Sequence, residues 1–102
     1  MTTSNELRLL PWTRPDGKPC FLSTDDGDGH MSRLADNMES VQLGRATELL
    51  GQALDMLADT HADTEPDDLR LLARELTEAL RDTLRVATSR GHRMAAPEQH
   101  RF

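Results

Sequence analysis

From Met31 to Ala58 the chain reads MSRLADNMESVQLGRATELLGQALDMLA, in which Leu43, Ala46, Leu50, Ala53 and Leu57 recur at alternating spacings of three and four. That rhythm keeps side chains on one stripe of a helix and predicts an α-helix over 31–58. The apolar arc is wider than a single contact requires. Its first half (Leu34, Met38, Val41) points about a quarter turn away from its second half (Ala46, Leu50, Ala53, Leu57), and Leu49 and Met56 widen it further. The expected arrangement gives the first half to the N-terminal segment and the second half to another helix, with the surplus left for a second subunit. Ser40, Gly44, Thr47 and Gly51 form a separate stripe of small residues. Each glycine costs a helix about 1 kcal/mol relative to alanine, so the stripe reads either as a place where another backbone approaches or as an unoptimised solvent face.

The acidic stretch Asp59–Asp68 breaks this helix and starts the next. Thr64 suits an N-cap, Pro66 sits where a missing donor is harmless, and Glu65, Asp67 and Asp68 favour the positive end of a helix dipole. A second helix is predicted over 65–89, with a stripe of Leu69, Leu72, Ala73, Leu76, Ala79, Leu80, Leu84 and Ala87, and Gly91 as its stop. The short connection makes the pair an antiparallel αα-hairpin. Upstream, ELRLLPW alternates Leu7 and Leu9 against Arg8, and PCFLST is a second strand-like run. Between them Pro15 pre-sets φ, Asp16 bonds nearby backbone and Gly17 accepts φ > 0, so 7–23 reads as a β-hairpin limited by Pro11 and Pro19. Asp28 or Ser32 is the candidate N-cap of the first helix. The expected fold is mainly α: a β-hairpin followed by a two-helix antiparallel hairpin, dimerising into a helical bundle. Residues 1–5 and 91–102 are expected to be disordered ends of one domain spanning 6–90.

Composition sharpens this picture. With 102 residues there is room for one core, and 36% hydrophobic residues with only Trp12, Phe21 and Phe102 as aromatics make it thin. A thin core favours a homodimer. Eighteen acidic residues against 12 basic give a formal charge of -6, which opposes direct nucleic-acid binding. Cys20 is the single cysteine, so no intrachain disulfide or cysteine-based zinc site forms, and a reducing cytoplasm fits. No leader pattern and no membrane-spanning apolar run is seen. Lys18 is the only lysine, a usage typical of high-GC genomes.

Candidate chemistry is sparse. The loop TDDGDGH invites a calcium reading, but Thr24 at its first position and Ala35 at its twelfth are not ligands, so Asp25, Asp26 and Asp28 read as turn formers. His30, His61, His92 and His100 are scattered, Cys20 reads as a small buried strand residue, and no phosphate loop or nucleophile motif occurs. No catalytic, cofactor or metal residue is assigned. Arg70, Arg74, Arg81 and Arg85 lie on one side of the second helix and are candidates for gripping phosphate or an acidic partner, although Glu78 and Asp82 stand close enough to neutralise them. Trp12 is a candidate interface anchor, Leu71 lies off the main stripe, and Gly44, Thr47, Gly51, Leu49 and Met56 complete the interaction candidates.

The phrases LPWTRPDGKPCFLSTD, SRLADNMESVQLGRATELL and LTEALRDTLRVATSRGHRM resemble a family of small Streptomyces-type actinobacterial proteins with no assigned activity. The resemblance implies a cytoplasmic accessory protein of regulatory kind and transfers no functional residue. Three functions stand open at this stage. The first is a non-enzymatic protein–protein interaction module, homodimeric and open to binding another protein. The second is a transcription-linked or antitoxin-like inhibitor of a DNA-binding partner. The third is a small-molecule sensor with a pocket between hairpin and helices.

Overall fold

The computed structural model describes residues 7–23, 29–59 and 64–95. It is mainly helical: strands β1 (Leu7–Thr13) and β2 (Pro19–Ser23) form an antiparallel hairpin, followed by helices α1 (His30–Ala58) and α2 (Pro66–Ala95). The β-turn is the one expected from Pro15, Asp16 and Gly17. Gly17 N–H donates to the Arg14 carbonyl and Arg14 N–H to the Lys18 carbonyl, both at 2.8 Å. Gly17 adopts φ 86°, the left-handed conformation that closes a three-residue hairpin loop, and the Asp16 carboxylate accepts the Lys18 N–H at 3.0 Å.

The strand register holds from Leu7↔Ser23 to Leu9↔Phe21 and shifts before Thr13↔Pro19. Pro11 lies inside that irregular segment and has no N–H for the ladder, which is the physical reason it is tolerated there. The facing of β1 corrects the sequence reading. Arg8, Leu10 and Pro11 are buried while Leu7 is half exposed and Leu9 only partly covered, so the charged residue of the alternation points inward.

Both helices run about 45 Å at their observed lengths. α1 starts at His30 with Gly29 as N-cap and no side-chain cap; Ser32 is buried inside the first turn instead of capping it, and Asp28 lies outside the described residues. Glu65 accepts the Leu69 N–H, placing Pro66 at the first helical position and Thr64 one residue before the cap. Gly91 does not stop α2, which continues to Ala95. Glycine weakens a helix without ending it, and at Gly91 its φ is not in the left-handed region that a C-terminal stop uses.

The core is small, built from Leu10, Ala35, Leu49, Ala79 and Val86. The expected division of the α1 arc is corrected here. Ser32, Ala35, Glu39 and Gln42 turn inward in the first half, whereas Leu34, Met38 and Val41 remain exposed. In the second half Ala46, Leu49, Ala53 and Met56 face inward, and Leu50, Leu54 and Leu57 are exposed. The cause is the strand. β1 brings its own polar anchor, Arg8, and takes the α1 face that can answer it, which rotates the apolar residues away.

Candidate functional site

Two features stand out: a buried ionic cluster that ties β1 to both helices, and a bare leucine face at the opposite end of the helical pair.

The cluster is centred on Arg8, only 4% exposed. Its Nη1 donates to the Ser32 carbonyl at 3.1 Å and to Ser32 Oγ at 3.0 Å. Its Nη2 donates to Asp36 Oδ1 at 2.7 Å and lies 3.3 Å from Glu39 Oε2. Glu39 is also buried, and its Oε1 accepts from Arg90 Nε of α2 at 3.3 Å. Two guanidiniums therefore enclose one carboxylate, with Asp36 supplying a second at the solvent edge. Nearby, Ser89 Oγ donates to the Leu9 carbonyl at 2.9 Å and Gln42 Nε2 to the Pro11 carbonyl at 2.8 Å, so the irregular part of β1 regains the bonds a regular ladder would provide. Arrangements of this kind fix orientation. The cluster contains no nucleophile poised beside a base, and the described residues contain no group of three metal-binding side chains.

Sequence reasoning missed Arg8, Glu39 and Arg90. One signal was legible: Glu39 lies a helical turn from Ala35 and a turn from Leu43, on the side of α1 that carries Ala46, and a carboxylate there asks for a buried cation.

The leucine face lies toward the end where α1 hands over to α2. Leu43, Thr47, Leu50, Leu54 and Leu57 follow a four-three-four-three spacing on α1, and Leu69, Ala73, Leu76, Leu80, Thr83 and Ala87 continue it on α2. This is the rhythm of a helix seam that packs knobs into holes. The two seams flank a groove of about 450 Å³ lined by Ala53, Met56, Leu57, Leu69, Leu72 and Leu76, which sets them on one side of the pair. Leu50, Leu54, Leu57, Leu69, Leu80 and Leu84 are between 48% and 78% exposed. Together they leave apolar side chains of both helices in water, the kind of surface that marks an interaction site.

The sequence candidates distribute as follows. Leu49 is buried between the helices, whereas Met56 is half-buried and lines the groove that the two seams flank. Gly44 and Gly51 are exposed on the flank of the α1 seam, beside Thr47 at the seam's outer edge; a Cβ at either glycine meets nothing within 4 Å, and Thr47 Oγ1 bonds its own Leu43 carbonyl. Leu71 is exposed and outside the α2 seam.

Trp12 is half-buried in a cleft of about 680 Å³ between hairpin and α2, together with Glu78, Arg81, Asp82 and Arg85. Arg85 pairs with Asp82 at 3.2 Å. Among the described residues Arg70, Arg74 and Arg81 have no carboxylate within ion-pair distance, so the expected self-neutralisation holds for Arg85 alone. Cys20 is partly covered on β2 and His30 opens α1. Asp25, Asp26, His61 and His100 lie outside the described residues.

No protein-family model, curated protein or solved structure matches this chain. The surfaces themselves carry the functional reading. Among the described residues, no helix is long and apolar enough to cross a membrane.

Proposed function

We propose that this chain is a non-enzymatic protein–protein interaction module that acts by burying the leucine face of α1 and α2, first of all against itself. One observation carries the reading: five leucines in a four-three rhythm, Leu50, Leu54, Leu57, Leu69 and Leu80, are 48–78% exposed on one side of a helix pair whose own core is already satisfied by Leu49, Ala79 and Val86. Apolar area of that extent is the ordinary driving force of association, and the hairpin's ionic cluster serves to hold the face rigid.

The double substitution Leu54→Glu with Leu80→Glu tests it. These side chains carry little of the monomer fold, so helix content and the stability of a highly dilute sample should change by no more than about 0.5 kcal/mol. The wild type should gain mass with concentration in light scattering while the variant stays monomeric. A wild type that remains monomeric at every concentration, or a variant that unfolds, sinks the reading.

The cleft around Trp12 gives a second reading, a sensor site between hairpin and α2. Ligand-induced thermal shifts that vanish in Trp12→Ala would favour it, and flat responses across a metabolite panel would remove it.

A further inference from the structure

Resting on the self-association just proposed, we infer that the occupant of the leucine face is a second copy seated with α1 of one protomer against α2 of the other, in an antiparallel four-helix bundle. Apolar extent comes first. Five leucines of the face stand 48–78% exposed, and association is the ordinary way to remove such a surface from water. A two-fold axis lets one face complement itself, so no second surface is required.

Charge then selects the pairing. The flank of the α2 seam carries Arg70, Arg74 and Arg81, none of which has a carboxylate partner among the described residues. The corresponding flank of α1 carries the small residues Gly44 and Gly51, next to Thr47 at the edge of the seam, and beyond them the acids Glu48 and Asp55. A dimer that set α2 against the partner's α2 would bring arginine rows together, and α1 against the partner's α1 would do the same with the acids. Crossing the pair lays the partner's Arg70 and the partner's Arg81 over the small-residue flank, within reach of the opposite charge. The open space around Gly44 and Gly51 leaves room for those long side chains.

Register follows from contacts within one chain. Arg45 pairs with Glu75, and Glu39 with Arg90, each at 3.3 Å. Together they put Thr47 and Thr77 within about one helical turn of each other in height. At 100° per residue Thr47 lies about 40° outward from the centre of the α1 seam and Thr77 about 80° outward from that of the α2 seam; both are exposed, with hydroxyls bonded to their own helix. Within a chain they point away from one another. In the crossed dimer Thr47 approaches the partner's Thr77.

The experiment uses the full chain in a Cys20→Ser background. One preparation carries Thr47→Cys, a second Thr77→Cys, and each is treated with a flexible bis-maleimide alone and as an equimolar mixture. The mixture should give a covalent dimer amounting to about half of what complete pairing would give, the statistical share of mixed dimers, while either preparation alone gives none. Self-linking of the Thr47→Cys or the Thr77→Cys chain overturns the crossed geometry. So does an absence of any link in a sample that light scattering shows to be dimeric. A monomer by light scattering overturns the self-association itself, which separates the two failures. Exposed helical positions make misfolding of these variants easy to exclude by circular dichroism.

Discussion

Arg8 Nη2 stands 3.3 Å from Glu39 Oε2, with the two side chains at 5% and 1% exposure. A strand residue and a helix residue thus neutralise each other out of reach of water, and Arg90 completes the arrangement from the second helix. Three elements meet at one carboxylate.

Removing either partner leaves a buried charge with one counter-charge fewer: Glu39 keeps Arg90 and Arg8 keeps Asp36. Arg8→Met or Glu39→Gln should each cost about 1.5–3 kcal/mol, the range for hydrogen bonds to charged groups, or roughly 6–24 °C in the melting temperature of a domain this size. The double variant should cost clearly less than the sum of the two. Urea titration of all four proteins gives the cycle; additive losses would show that the pair is not coupled.

The exposed Arg45–Glu75 pair makes the contrast. Its side chains are 49% and 35% exposed, so Arg45→Ala should change monomer stability by less than about 1 kcal/mol, and the small effect should fade at high salt. A loss comparable to that of Glu39→Gln would contradict this ranking.

Gly17 holds a left-handed φ in the hairpin turn, and a Cβ there meets no neighbour within 4 Å. The cost of Gly17→Ala is therefore backbone strain alone, about 1–2 kcal/mol. Gly17→Asn should lose less, because asparagine tolerates this conformation. Equal stability of Gly17→Ala and wild type would count against the turn geometry.

Gly44 lies in mid-helix with open space around it. Gly44→Ala should stabilise the dilute monomer by about 0.5–1 kcal/mol through helix propensity, measured as a rise in the denaturation midpoint at unchanged slope.

Trp12 is the only tryptophan and borders both the hairpin and α2. Its fluorescence should therefore report hairpin docking, and its transition should coincide with the loss of helical circular dichroism in the wild type. In Arg8→Met the fluorescence change should precede the helical one, since the anchor of the strand is gone while the helix contacts at Leu49 and Ala79 persist.

The sequence by itself determined the elements. Alternating three-four spacing, the Pro15–Asp16–Gly17 turn and Pro66 after an acidic run are local signals, and local propensity is enough to place a hairpin and two helices to within a few residues at most boundaries. The end of α2 is the exception, because a single glycine competes weakly against a helix held by its neighbours. Which face of each element turns inward was decided only by tertiary structure. Leu34, Met38 and Val41 are as apolar as a core stripe should be, yet Arg8 on β1 demands Ser32, Asp36 and Glu39, and a buried guanidinium left unpaired costs more than exposing several aliphatic side chains. That one long-range requirement sets the rotation of α1, buries Leu49 in the core, and leaves Leu50, Leu54 and Leu57 facing outward. Periodicity names a stripe; only the partners available in three dimensions decide which stripe is buried.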